Sequence, residues 1–315
     1  MSKKILVTLP LSDEQKAFLE SRPEGGTPCS FVYKPDNEVT EADVKDVSAV
    51  IGCIKPALFA SAPMIEWVQL HSAGFENYAK PGVLPKGCIL TNATGAYGLA
   101  VSEHMLAMTF DLLRHFRVYH HNQEQHIWKE AGYYHSVEGS VVTVLGMGDI
   151  GGSYARKVKA LGAYVIGVRK HDVEKPDYLD EQVTVDRFDE VLPRTDILAM
   201  VIPGGPETRH ILDEKRLALM KDDSMIINVG RGNAIDADAL KKFLSEGKFY
   251  GVGLDVTDPE PLPKEDTLWD CERVLLTPHA AGRFWLPETV VRILKIAADN
   301  LYVYTHGGEM RNVVR

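Results

Sequence analysis

Val141-Val-Thr-Val-Leu-Gly146-Met-Gly148-Asp149-Ile150-Gly151-Gly152 is an apolar run that leads directly into GxGxxG, and Ile150, Tyr154, Val158 and Leu161 continue it at helical spacing. Strand, glycine turn and helix are therefore predicted as one unit. In that setting Gly146 permits the tight turn, Gly148 lets main chain approach a pyrophosphate, and Gly151 allows the helix to pack closely on the strand. The helix N-terminus adds N–H donors and partial positive charge for an anion. Alone, the motif is also compatible with a glycine-rich turn that binds nothing; the flanking strand and helix favour a dinucleotide site at Gly146, Gly148, Asp149, Ile150 and Gly151. Asp149 is the odd member, since a carboxylate adds no attraction to a pyrophosphate, and it is expected to point to solvent or to cap the helix.

Around this unit, strand-like runs recur at Tyr164–Val168, Ile197–Ile202, Met225–Val229, Val252–Leu254 and Val274–Leu276, with helical stretches between them. With Val141–Leu145 they make six, which fits a doubly wound, Rossmann-type sheet. A first series precedes it at Ile5–Leu9, Phe31–Tyr33, Val50–Ile54, Trp67–Leu70 and Ile89–Thr91, with a helical Ser12–Ser21 segment. Ser102 is expected to cap a long apolar helix at the boundary, and Pro287 to open a last helix that packs back on the first domain. The expectation is an α/β chain of two domains: a discontinuous, flavodoxin-like substrate domain at 1–100 and 287–315, and a dinucleotide-binding domain at 101–286.

The length of 315 residues agrees with two domains at roughly 150 residues each. With 35 basic and 44 acidic residues the net charge is −9, which disfavours non-specific nucleic-acid binding. Apolar runs such as Ser140–Met147 fall far short of the about 18 to 20 residues that cross a bilayer, and MSKKILVTLP carries no cleavable signal pattern. A cytoplasmic location is expected. Cys29, Cys53, Cys88 and Cys271 are scattered without CxxC pairs or metal spacing and read as buried free thiols. His115, His120, His121 and His126 lack accompanying carboxylates or thiolates at ligand spacing, so no metal is expected there.

At the end of the strand Tyr164–Val168, a site for NAD commonly carries an acid for the ribose. Here stand Arg169, Lys170 and His171, groups suited to the 2'-phosphate of NADPH, although a solvated basic turn would look the same. Asp172 lies beyond the strand end. Further along, Met225–Val229 delivers Arg231 between two glycines, where a guanidinium suits bidentate binding of a carboxylate. Asp255, Glu260 and His279 then each follow an apolar strand.

These segments resemble the D-isomer-specific 2-hydroxyacid dehydrogenases, a family that includes glyoxylate/hydroxypyruvate reductases, D-lactate dehydrogenases and phosphoglycerate dehydrogenases. The resemblance spans nearly the whole chain, through HSAGFENY, NATGAYGLAVSEH, GMGDIGG, IPGGPETRHI, INVGRG, LDVTDPEPLP and TPHAAG in the family's order. It implies that Arg231 binds the substrate carboxylate and polarises the keto oxygen, that His279 donates the proton, and that Glu260 pairs with His279. It also implies cofactor contacts at Pro203, Thr208, Val229, Asp255 and His279, and substrate contacts at Ser72, Ala73 and Gly74, with Tyr97, Phe284 and Trp285 as pocket walls or hinge packing. Lys55 could add a cation for a second acidic group or simply be solvated. Read singly, Arg231 could anchor a loop, Glu260 cap a turn and His279 satisfy a buried backbone group.

The combined expectation is NADPH-linked reduction of a small 2-oxoacid to the D-2-hydroxyacid, NADH being possible, by a homodimer joined through the Trp128, Tyr133 and Tyr134 region. Two alternatives stay open: an NAD-linked relative acting on D-lactate, phosphoglycerate or an aryl hydroxyacid, and a dinucleotide-sensing corepressor or scaffold.

Overall fold

Short apolar runs punctuated by Gly and Pro become parallel strands here, because each strand is followed by a crossover rather than a hairpin. The computed structural model describes residues 2–314. It divides into two units, Met1–Tyr97 with Phe284–Arg315, and Gly98–Arg283.

In the first unit, β1 (Lys3–Val7), β2 (Cys29–Tyr33), β3 (Ala49–Ile51), β4 (Trp67–Gln69) and β5 (Ile89–Thr91) form a sheet in the order β2-β1-β3-β4-β5. That is a doubly wound order, with all four pairings parallel. Every residue of β3 and β4 is buried, as expected of central strands covered on both faces. The Asp13–Glu20 helix opens with a capping box in which Ser12 and Gln15 satisfy each other's main-chain N–H. Pro287 occupies the first turn of the Pro287–His306 helix, which buries Ile293, Leu294, Ile296, Ala297, Ala298 and Leu301. Asn300 Nδ2 donates to Gln69 Oε1 of β4 at 2.7 Å, tying this late helix into the first sheet.

In the second unit, β6 (Val141–Leu145), β7 (Tyr164–Arg169), β8 (Glu181–Thr184), β9 (Ile197–Met200), β10 (Met225–Asn228), β11 (Gly251–Leu254) and β12 (Val274–Leu276) form a sheet in the order β12-β11-β10-β9-β6-β7-β8. The order reverses between β6 and β9, so a crevice opens at the carboxyl ends of those strands. Both units are α/β.

Several expectations need correction. The sheet has a seventh strand, β8, whose Glu-Gln-Val-Thr contains one buried residue and so shows no apolar run. The boundary helix spans Gly98–Leu113, and Ser102 is not its cap. Ser102 is buried inside it, donating to the Leu99 carbonyl and accepting from Lys157 Nζ at 2.9 Å. Because the whole helix joins the second unit, the breaks fall at 97/98 and 283/284 rather than 100/101 and 286/287. All four cysteines are thiols outside any disulfide, but only Cys88 is buried; Cys29, Cys53 and Cys271 are partly exposed.

Candidate functional site

The turn after β6 has the geometry its glycines allow. Gly146 adopts φ +99°, which few side chains tolerate, and a Cβ at Gly151 would lie 1.9 Å from the Gly146 carbonyl oxygen. Nothing lies within 4 Å of a Cβ built at Gly148, so its main chain faces open space. The helix Asp149–Ala160 begins immediately after, presenting its first N–H groups to that space. Asp149 turns away: its Oδ2 accepts the Gly98 N–H at 2.6 Å, so it caps the Gly98–Leu113 helix instead of its own. Ile150 is partly buried in the first turn.

Arg169 ends β7, and its Nε is buried and meets no hydrogen-bond partner among the described residues. A buried guanidinium donor without an acceptor is costly unless an anion completes it. Next to it, Lys170 Nζ lies 3.3 Å from Glu207 Oε1, an exposed pair between the residue after β7 and the loop after β9. Those strands flank β6, so the pair stands on either side of the phosphate turn. His171 and Asp172 are exposed. The Thr208 hydroxyl donates to the Pro203 carbonyl at 2.9 Å, and Val229 N–H donates to Met200 at 3.2 Å, which fixes the loops after β9 and β10. The open Gly148 main chain and the uncapped start of the Asp149–Ala160 helix together fit a dinucleotide pyrophosphate, and the orphaned Arg169 donor lies beside them at the end of β7.

The chemical groups emerge from three neighbouring strand ends, β10, β11 and β12. After β10, Asn228 Nδ2 donates to the Arg231 carbonyl at 2.9 Å and its Oδ1 accepts Gly230 N–H at 3.0 Å, so one side chain shapes the turn that carries Arg231. Gly232 is obligatory there, since a Cβ would lie 2.0 Å from the Thr257 carbonyl carbon. Arg231 Nη1 also donates to the Gly230 carbonyl at 2.8 Å. After β11 and β12, Glu260 Oε1 and His279 Nδ1 lie 2.9 Å apart with both side chains nearly half exposed. That contact occupies Nδ1 and leaves Nε2 as the nitrogen available to a ligand.

Asp255 is 2% exposed and organises the segment after β12. Its carboxylate accepts the Thr277 hydroxyl at 2.6 Å and the N–H groups of Ala280 and Ala281 at 2.8 and 3.2 Å. Its carbonyl accepts the His279 N–H at 2.8 Å. His104 Nε2 lies 3.0 Å from the Thr277 oxygen.

In the first unit, the Ser72–Gly74 turn follows β4. Ser72 Oγ donates to the Gly74 carbonyl at 2.6 Å and Asn92 Nδ2 to the Ala73 carbonyl at 2.7 Å. Tyr97 is buried with its hydroxyl on the His71 carbonyl at 2.6 Å, and burial pushes its phenol above the ordinary range. Phe284 meets the His71 ring edge-on at 4.8 Å, whereas Trp285 is 82% exposed. Lys55 is exposed. For Cys53, burial acts to raise the thiol, but the adjoining His71 and Tyr78 outweigh it and bring it below its ordinary value.

Sequence reasoning missed Glu207, His104 and Thr277 as parts of these clusters. All three lie inside segments already singled out, yet their partners are distant in sequence. Among the described residues, no group of three or more His, Cys, Asp or Glu side chains could hold a metal ion. His115 instead lies 2.8 Å from the Tyr250 hydroxyl.

Comparison with known proteins bears on the whole arrangement. The family described as D-isomer specific 2-hydroxyacid dehydrogenase, NAD binding domain, matches residues 106–281. A glyoxylate reductase of Korarchaeum cryptofilum is 29% identical over 294 residues, covering 89% of this chain and 86% of that one. The structure of a D-isomer specific 2-hydroxyacid dehydrogenase family protein from Aeromonas salmonicida superposes with a TM-score of 0.85 at 24% identity over 99% of both chains. An NADPH-dependent glyoxylate/hydroxypyruvate reductase from Sinorhizobium meliloti, solved in complex with NADP and sulfate, gives 0.80 at 25% identity, covering 99% of this chain and 98% of that one.

Proposed function

We propose that this chain, which belongs to the D-isomer specific 2-hydroxyacid dehydrogenases, reduces a small 2-oxoacid of the glyoxylate or hydroxypyruvate type at the expense of NADPH, giving the D-2-hydroxyacid where a stereocentre forms. The observation that carries the reading is the His279–Glu260 pair, 2.9 Å apart beside the strand end that bears Arg231. The overall change consumes one 2-oxoacid, one NADPH and one proton, and yields one 2-hydroxyacid and NADP.

The nicotinamide cofactor supplies the hydride when bound. Gly146, Gly148, Gly151 and the first turn of the Asp149–Ala160 helix would hold its pyrophosphate, and Arg169 with Lys170 would hold the 2'-phosphate. Arg231 pairs with the substrate carboxylate and polarises the keto oxygen. His279 gives the proton from Nε2 to that oxygen, with Glu260 at Nδ1 holding the ring in orientation. Oxidation of the hydroxyacid returns the proton to the same nitrogen. The Ser72–Gly74 turn offers main-chain N–H groups to a carboxylate.

A homodimer and a cytoplasmic location belong to the same proposal. Trp128 and Tyr133 are 102% and 98% exposed, the kind of aromatic surface a second copy would cover. Among the described residues, no helix is long and apolar enough to cross a membrane.

The test is initial rates on glyoxylate, hydroxypyruvate and larger 2-oxoacids with each cofactor. Faster turnover per molar NADH than NADPH would overturn the cofactor assignment, and full activity in His279→Ala would remove the proton donor.

A further inference from the structure

His279 has φ +49°, a left-handed conformation that side-chain-bearing residues rarely adopt and that persists only when the surroundings enforce it. Most of the enforcement comes from one residue, with the His279 N–H shared by the Thr277 carbonyl at 3.0 Å. Asp255 accepts the main-chain N–H groups of three consecutive residues: His279 on its carbonyl at 2.8 Å, Ala280 on Oδ1 at 2.8 Å and Ala281 on Oδ2 at 3.2 Å. The two carboxylate contacts require a defined rotamer of Asp255. The Thr277 hydroxyl donates its single proton to Oδ1 at 2.6 Å. Having spent that proton, Thr277 can only accept from His104 Nε2 at 3.0 Å, which fixes the proton of His104 on Nε2. His104 Nε2 also lies 3.6 Å from Oδ1. His104 stands 173 residues before Thr277, on the Gly98–Leu113 helix of the same unit.

We infer that His104 and Thr277 are positioning residues that align the Asp255 carboxylate and thereby hold His279 in its left-handed conformation. This rests on the reading of His279 as proton donor. The donor chain runs in one direction, from His104 through Thr277 to Asp255, while the amides of 280 and 281 bind the same carboxylate. Each link is satisfied only if the preceding one is oriented. Neither side chain needs to touch the substrate or cofactor for this role; a ring displaced by about 1 Å is enough to lower turnover by about 10²-fold.

The test compares Thr277→Val, which keeps shape and removes the hydroxyl, with Thr277→Ser, which restores it. Expected is a fall in kcat of up to about 10²-fold for Thr277→Val and near-normal kcat for Thr277→Ser. His104→Ala should fall and His104→Gln recover part of the loss, and the double variant Thr277→Val with His104→Ala should be no worse than Thr277→Val alone. Unchanged kcat in Thr277→Val, or equal losses in the Val and Ser variants, would overturn the inference. Should Thr277→Val fail to fold, the His104→Ala and His104→Gln comparison decides it by the same criterion. Failure of the functional reading is seen separately, as an inactive parent enzyme or a silent His279→Ala. In that case the histidine ring NMR signals still decide: the His279 resonances should move in Thr277→Val and return in Thr277→Ser, and no difference between the two would refute the relay.

Discussion

Replacing Gly98 by Ala gives a stability change that can be worked out from the structure. A Cβ at this position would lie 2.4 Å from Asp149 Oδ1 and 2.8 Å from Oδ2. Such an overlap is relieved cheaply if the Asp149 side chain rotates, so steric energy is not the cost. Rotation breaks the 2.6 Å bond between Gly98 N–H and Oδ2, and the first turn of the Gly98–Leu113 helix loses its anionic cap. Hydrogen bonds to charged groups contribute about 1.5–3 kcal/mol. For a domain of about 150–250 residues, each kcal/mol shifts Tm by about 2–4 °C, so Gly98→Ala should lower Tm by about 3–12 °C. Asp149→Ala alone breaks the same bond and should cost a similar amount, about 1.5–3 kcal/mol. Placed in that background, Gly98→Ala has no carboxylate to displace and should change Tm little. Thermal melts of the four proteins in this double-mutant cycle measure the coupling. An undiminished Gly98→Ala penalty without Asp149 would refute the argument and move the cost to the helix main chain.

Other expectations follow from the same contacts. Arg169→Asp should move preference toward NADH, read as the ratio of kcat/KM with the two cofactors. Glu207→Gln should release Lys170 and improve NADPH binding by about two- to five-fold, the scale of an exposed ion pair, with NADH binding unchanged in a fluorescence titration. Glu260→Gln should keep a partner at His279 Nδ1 but lose the negative charge, lowering kcat while the NADPH dissociation constant holds; unchanged kcat would show the charge to be idle. For Asp266, burial would raise the carboxyl, but the Lys241 ammonium at 2.6 Å and the Leu268 N–H outweigh it and leave it below 3.8. A carboxyl lowered on folding contributes stability that is complete above its unfolded value near 3.8 and is lost as pH falls through the lower folded value. Asp266→Asn should therefore melt earlier than the parent at pH 7 and show a shallower decline of Tm from pH 5 to pH 2.

The parts of the fold that were legible in the sequence are those where local pattern and tertiary burial coincide. β9, β10 and β11 are buried at every position and, apart from Asn228, consist of apolar residues and glycine, so the pattern marks them as central strands. β8 pairs only with β7 at the sheet edge, and its polar composition hides it. The start of the boundary helix is hidden for a related reason: Ser102 is a good local capping residue, but the cap is Asp149, 51 residues after Gly98. That Arg231, Glu260 and His279 each follow an apolar strand is visible in the sequence, and the Glu260–His279 contact needs only adjacent strand ends. The support behind them was not. His104 and Asp255 come from different elements, and nothing in a helix with a broad apolar face marks one histidine as the start of a donor chain.

Asp149 and Asp255 make the same physical point after two interior strands of one sheet, β6 and β11, with β9 and β10 between them. Each is a carboxylate in a segment tied to ligand chemistry, and each spends its oxygens on main-chain N–H groups of this chain. At Asp149 this frees the phosphate turn of a repulsive charge: the carboxylate that would oppose a pyrophosphate is directed to the Gly98 helix end. At Asp255 it fixes a conformation that His279 would not adopt unaided. Neutral replacements should therefore separate the two roles. Asp149→Asn keeps an acceptor for Gly98 and should leave kcat nearly intact, whereas Asp255→Asn exchanges one amide acceptor for a donor facing Ala281 or Ala280 and should lower kcat through His279. Equal behaviour of the two variants in kcat, at matched Tm, would contradict this division.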